Sequence, residues 1–261
     1  MPSEEFIDWL VEQECAYARM VAGSERTPHA IFLYAPEAPG YHDANRALRL
    51  RTAGSTPGAV AATVVEYYRS RGLPPVAEVD AVAEAQGIGA ELRAIGLTPA
   101  PGDRLLMRYA ADRPPVAPDA GVEITVVPNE TGCGEAAEWI DTAAADDVGW
   151  PDEAIWRQVA DLEARYSACR LYLARHGARA AGVCDLFEHG GSGRVESVVT
   201  RPEFRRRGIA SALVARAVTD SVTRGNAETY LFTEPNGAAE RVYRRLGFAV
   251  WHMNVFRQHR A

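Results

Sequence analysis

The sequence contains no lysine, so all 28 of its basic residues are arginine. With the richness in alanine and glycine this reads as a coding bias and carries no functional message. No apolar run approaches the roughly 18 residues that a bilayer-spanning helix requires, which argues against a membrane protein. The start, Met1-Pro2-Ser3-Glu4-Glu5, is acidic where a signal peptide needs basic charge, and a cytoplasmic protein is expected. Cysteine is scarce: Cys15, Cys133, Cys169 and Cys184 have neither metal-site nor disulfide-framework spacing, so no metal is expected. His176, His189 and His252 show no partner pattern. The net charge of −7 argues against broad nucleic-acid binding, although a local arginine patch can still meet a phosphate chain. What remains is an ordinary globular composition, 47% apolar and 24% charged.

One stretch stands out against this background. A strand-like run from Arg194 to Thr200 leads through Arg205-Arg206-Arg207-Gly208 into a helix-like run from Ile209 to about Thr223. A small-residue turn at a helix N-terminus aims several unpaired backbone N–H groups at one point, and the helix dipole adds positive charge there. Gly208 permits close approach of a pyrophosphate, Ala210 keeps the first turn open, and the arginines neutralise the anion. Alone, the stretch reads equally well as a solvated arginine-rich turn.

The context carries a resemblance. Arg205-x-x-Gly208-x-Ala210, preceded by Val198-Val199-Thr200-Arg201-Pro202-Glu203-Phe204, is similar to the acyl-CoA signature of the GCN5-related N-acetyltransferase (GNAT) superfamily. Asn236, Ala239, Tyr243, Gly247 and Phe248 resemble that superfamily's downstream Asn-x-x-Ala-x-x-x-Tyr-x-x-x-Gly-Phe segment. The resemblance implies acetyl-CoA as co-substrate, held by Val198, Val199 and Thr200 along the pantetheine arm, by Arg205, Arg206, Arg207, Gly208, Ile209 and Ala210 at the pyrophosphate, and by Asn236. It implies Tyr243 as the acid that protonates the leaving thiolate, against the plainer reading of a core aromatic. Glu196 stands where some relatives carry a base, against a structural carboxylate paired with an arginine. Strand alternation predicts that Glu196 and Val198 share one face and Val195 and Val199 another. Asp141, Asp146, Asp147, Asp152 and Glu153, around Gly149-Trp150-Pro151, would form an acidic acceptor wall suited to a cationic amine, or else a solvated surface.

A Pro-rich stretch from Ala111 to Ala120 predicts a boundary, with domains at 1–115 and 116–261. The halves are self-similar: Ala90 to Leu97 parallels Arg241 to Phe248, and Gly58 to Gly72 parallels Ser211 to Gly225. The first copy has no arginines in Thr52 to Pro57, Pro57 lacks a donor, and Leu92 replaces Tyr243. The expected fold is α/β: two GNAT-like domains, each a mixed, mostly antiparallel sheet flanked by helices, the first degenerate and shaping the acceptor site. In the second half strands are expected at Val122–Val127, Leu171–Arg175, Ala180–Phe187, Thr229–Thr233 and Phe248–Phe256, with helices between them. The expected function is acetyl transfer to a small-molecule amine, with one CoA per chain. The alternatives are an aminoacyl-tRNA donor, the one case in which nucleic acid would be a partner, and a non-catalytic CoA-sensing module. Oligomeric state and acceptor identity are left open by the sequence.

Overall fold

The structure, a computed structural model, describes residues 2–129, 134–145 and 153–261, with the backbone alone for 153–156. The chain forms two compact units: Met1–Asp103 together with Asn254–Ala261, and Arg104–Met253.

In the first unit, α1 (Glu4–Ala18) begins where the Ser3 hydroxyl accepts from the Phe6 N–H at 3.2 Å, and it buries Ile7, Leu10, Val11 and Tyr17. Strands β1 (Gly23–Arg26), β2 (Ile31–Tyr34) and β3 (Ala47–Leu48) precede α2 (Pro57–Arg69) and β4 (Val76–Val79). The short helices α3 (Ala81–Ala85) and α4 (Ile88–Ala94) lead to β5 (Thr98–Pro99). Buried Arg46 is ringed by the carboxylates of Glu14, Asp43 and Glu78, which compensate its charge inside the unit.

The second unit opens with β6 (Leu105–Tyr109) and β7 (Glu123–Val127), then α5 (Gly134–Ala143), α6 (Glu153–Arg165), and the long strands β8 (Cys169–His176) and β9 (Arg179–His189). It continues with β10 (Ser192–Thr200), α7 (Ile209–Thr223), β11 (Glu228–Thr233), α8 (Ala238–Arg245) and β12 (Phe248–Met253). A final strand, β13 (Arg257–Arg260), returns to the first unit.

The sheet orders are β1-β2-β3-β4-β13-β5 and β12-β6-β11-β10-β9-β8-β7. Each is antiparallel except for one parallel pair, β3 with β4 and β10 with β11, and in each case a helix, α2 or α7, makes the crossover. The same strand, helix, parallel-strand unit therefore occurs twice, as the internal repeat implied. On one face of the second sheet α7 and α8 build a core in which Leu213, Val214 and Tyr243 meet Cys184, Leu186 and Val195. Helix α5 packs on β9 and β10 from the opposite face.

Two expectations need correction. The units do not divide at 115, because β6 lies between β11 and β12 in the second sheet. Leu105, Leu106 and Met107 are all buried without alternation, as suits a strand paired on both sides. The strand expected from Phe248 to Phe256 is two strands, parted at Asn254, whose positive φ of 49° turns the chain. Its second piece, Arg257-Gln258-His259-Arg260, fills the place between β4 and β5 with polar residues, Gln258 donating to Glu78 at 3.2 Å.

Candidate active site

Strands β10 and β11 pair only at their starts, Ser192 with Glu228, Gly193 with Thr229 and Arg194 with Tyr230. Beyond Arg194 the two strands part, so the β11-facing backbone groups of Val195 to Thr200 have no ladder partner on that side. Unpaired backbone of this kind is a template for an added extended chain. The gap opens toward the end of the sheet where both following helices, α7 and α8, begin.

A bulge sits inside β10. Glu196 is opposite Asp185, but the next paired residue is Val199, opposite Val183, and Ser197 between them has φ 51°. This extra residue overturns the simple alternation. Val195 and Val198 face the α7 and α8 core, while Glu196 and Val199 face the side of α5 and α6. Val198, Val199 and Thr200 line the open part of the strand. The Thr200 hydroxyl is buried without a hydrogen-bond partner, an acceptor and donor left over for a ligand.

After Thr200 a short 3-10 turn, Pro202–Phe204, leads to Arg205, Arg206 and Arg207, all exposed. Gly208 caps α7 in the left-handed conformation, φ 81°, and offers no side-chain acceptor to the helix. The first N–H groups of α7, at Ile209 and Ala210, are thus left for an external anion. Arg205 is partly committed, donating to the Thr200 carbonyl at 3.1 Å, and the Arg207 guanidinium lies over Phe204. Ile209 buries its side chain, so any contact it makes with a ligand is through its backbone.

Asn236, also at positive φ (62°), stands exposed before α8, where its N–H donates to the Glu240 carboxylate and its carbonyl accepts from Arg241. Arg244 and that N–H hold Glu240 below the usual carboxylate range. Tyr243, one turn further, is buried, tilted against Phe248 with centroids 6.0 Å apart. Burial, with Glu196 and Cys184 adding to it, pushes its phenol well above its ordinary value, so it stays protonated at any physiological pH.

Glu196 accepts from Arg194, which is buried beside it. Two carboxyls that sequence reasoning missed lie with them. Asp185 is fully buried, with the Ser197 hydroxyl and the Cys169 thiol beside its carboxyl. Glu163 of α6 is also buried and accepts from the Ser197 hydroxyl at 3.1 Å, so the bulge aims Ser197 at this group. A lone aspartate inside the apolar run Ala181 to Phe187 was the available signal, since a buried charge rarely sits in a central strand without a task.

Of the expected acidic wall, Asp146, Asp147 and Asp152 and the Glu153 side chain lie outside the described residues, as does Cys133. Asp141 is paired with Arg157 at 2.7 Å across a recess between α5 and α6 lined also by Ala137, Ile140 and Asp161. In the first unit the equivalent helix start is closed. Thr56 accepts from the Ala59 N–H at 3.2 Å, Pro57 follows it, and Leu92 sits in the unit's core.

A split parallel strand pair, a bulge beside the split and an uncapped helix at its mouth lie together at one end of the second sheet. Residues 135–248 match the model of the acetyltransferase (GNAT) family. The whole chain has the tandem GNAT fold. It is similar to a GCN5-related N-acetyltransferase from Kribbella flavida over 97% of this chain and 94% of that one, at 18% identity and TM-score 0.69. A GCN5-related N-acetyltransferase from Sphaerobacter thermophilus is similar over 92% and 82%, at 21% identity and TM-score 0.62. A tandem GNAT protein from the clavulanic acid biosynthesis pathway is similar over 83% and 74%, at 18% identity and TM-score 0.58. No curated protein matches the chain by sequence. Among the described residues no helix is long and apolar enough to cross a membrane.

Proposed function

We propose that the second unit transfers an acetyl group from acetyl-CoA to the amine of a small molecule by direct attack. The observation that carries this reading is the split between β10 and β11, with a carboxylate on one face of the sheet and a buried phenol on the other. The pantetheine arm would pair with the free backbone of Val198 to Thr200, its pyrophosphate lying against the α7 N-terminus with Arg206 and Arg207 and its nucleotide end near Asn236. The thioester would then lie in the gap, reached by the amine from the Glu196 side and by Tyr243 from the other.

In this arrangement the amine nitrogen attacks the carbonyl carbon and forms the C–N bond, while a backbone N–H of the open strand steadies the oxyanion. Glu196 takes the proton from nitrogen. The C–S bond breaks, and Tyr243 gives its proton to the sulfur. A thiol holds its proton with a pKa near 8.5 in water, and the burial that strengthens the phenol's hold on its proton acts on the thiolate in the same direction, which keeps the transfer feasible.

Incubating the protein with acetyl-CoA and a panel of amines, with products followed by mass spectrometry, tests the reading. Acetylated amine and free CoA in equal amounts are expected. Tight CoA binding with no transfer to any amine would replace it by the sensing module, and transfer only from aminoacyl-tRNA would replace the donor.

A further inference from the structure

Asp185 and Glu196 are cross-strand partners in the β9/β10 ladder, and side chains so placed come within about 5 Å of each other. Two like charges there are unfavourable, and Glu163 adds a third carboxyl from α6. The charged or polar groups facing Asp185 are Arg194, Glu196 and Ser197 on β10, Glu163 on α6 and the Cys169 thiol on β8. The buried residues of α5, Ala136, Trp139 and Thr142, do not ionise. Asp185 and Glu196 thus stand opposite each other beside Arg194 and Glu163, close enough for one proton to serve both. Among the described residues, no three acidic, histidine or cysteine side chains are arranged to hold a metal ion.

We propose that Asp185 and Glu196 act as a single base, the acceptor amine's proton being shared between two carboxyls that face each other across the ladder above Glu163. This rests on the acetyl-transfer reading of the site. Glu196 is the member open to the amine. Asp185, which solvent does not reach, is a positioning residue: its negative charge strengthens the hold of the pair on one proton. A pair that takes up its proton nearer to neutral pH is a better base for an alkylamine than an isolated surface glutamate. Burial, reinforced by Glu163 and Glu196 and opposed by Ser197 and Arg194, pushes the Asp185 carboxyl well above its ordinary range. In the reaction the N–H electron pair stays with nitrogen as the C–N bond forms, and the proton enters the carboxyl pair. The sulfur takes the Tyr243 proton; as products leave, the pair gives its proton to solvent through Glu196 and the phenolate takes one from solvent, which restores both groups.

The test is the pH dependence of kcat/KM, with acetyl-CoA and whichever amine of the panel turns over, for the wild type, Asp185→Asn, Asp185→Glu and Glu196→Gln. Asparagine keeps the shape and leaves Glu196 a lone carboxylate beside Arg194. The acidic limb should move down by at least one pH unit and the plateau should fall about tenfold, with Asp185→Glu restoring the limb. An Asp185→Asn profile with the wild-type limb overturns the pairing while leaving acetyl transfer in place. A carbon-13 NMR titration of the aspartate carboxyls, read on the wild type and Glu196→Gln, needs no substrate. Asp185 should titrate in two steps in the first and in one lower step in the second. If no amine is acetylated, the functional reading fails by itself, and a single ordinary step for Asp185 in the wild type would then sink the pairing too.

Discussion

Tyr243 and Gly208, one from each motif, would act in different ways. Tyr243 is held by burial, so removing its hydroxyl leaves its ring in the core beside Phe248. Tyr243→Phe should therefore lower turnover by about tenfold or more with little change in acetyl-CoA affinity, a split that steady-state kinetics beside calorimetry resolves. Gly208 acts through its backbone. A Cβ there would meet only Pro118 and Ala120, at 3.8 Å, an ordinary contact, whereas φ 81° costs an L residue about 1–2 kcal/mol. Gly208→Ala should weaken acetyl-CoA binding by roughly tenfold and Gly208→Val by more, since a β-branched residue tolerates this region worst. Unchanged affinity in both variants would separate the turn from the cofactor. The charge state of Asp185 also has a consequence for stability. Its raised folded-state value means that it stabilises the fold fully only below about pH 4, the unfolded carboxyl's range, and that this contribution is lost as pH rises toward the folded value. Relative to Asp185→Asn, the wild type should lose denaturant resistance as pH rises above about 4.

Among the elements, β10 departs most from what its sequence suggests. The turn before α7 and the segment of α8 were legible because their signals are local: glycine, arginines and the following helix lie within a few residues. The bulge was not. Glu196-Ser197-Val198-Val199 has the composition of an ordinary strand, and only pairing with β9 shows that one residue too many is present. Faces assigned by alternation were therefore wrong beyond Glu196, and with them the company that Glu196 keeps. Strand β9 also fixes the far end of β10 by close approach. A Cβ on Gly182 would stand 2.7 Å from the Val199 carbonyl oxygen and 3.1 Å from Ile209 Cγ2. Gly182→Ala should push β10 and the start of α7 outward, costing about 1–3 kcal/mol in urea unfolding and weakening acetyl-CoA binding with it. A variant as stable as the wild type would mean that the strand end yields freely.

For the whole molecule, the repeat was legible in its helices and in the strands that follow them, β4 and β11, but not in which further strands complete each sheet. The second sheet begins with β6, which precedes the Pro-rich segment that looked like a boundary, and the first sheet takes one strand from outside its own stretch of sequence, β13, a polar tetrapeptide at 257–260. Cutting the chain at 115 would take β6 from between β11 and β12, so a fragment beginning there should be insoluble, while 104–253 should fold. Removing 254–261 should leave the second unit intact and expose the first, which hydrogen exchange would register as lost protection in β4 and β5. One acetyl-CoA per chain is expected by titration, because Thr56 and Pro57 already satisfy the helix start that would hold a second. Two equivalents bound would contradict that closure.

The late position of β13 also bears on the order of events at the ribosome. The first unit's earlier strands end at Pro99 in β5, yet β5 pairs with β13, which ends at Arg260. Roughly 160 residues must still be made in between, some 10–30 s at ordinary elongation rates of about 5–20 residues per second. During that interval the edge of β4 is bare and the second unit, contiguous from 104 to 253, is finished first. The half of the protein that is synthesised earlier is therefore expected to be the half whose sheet is completed later.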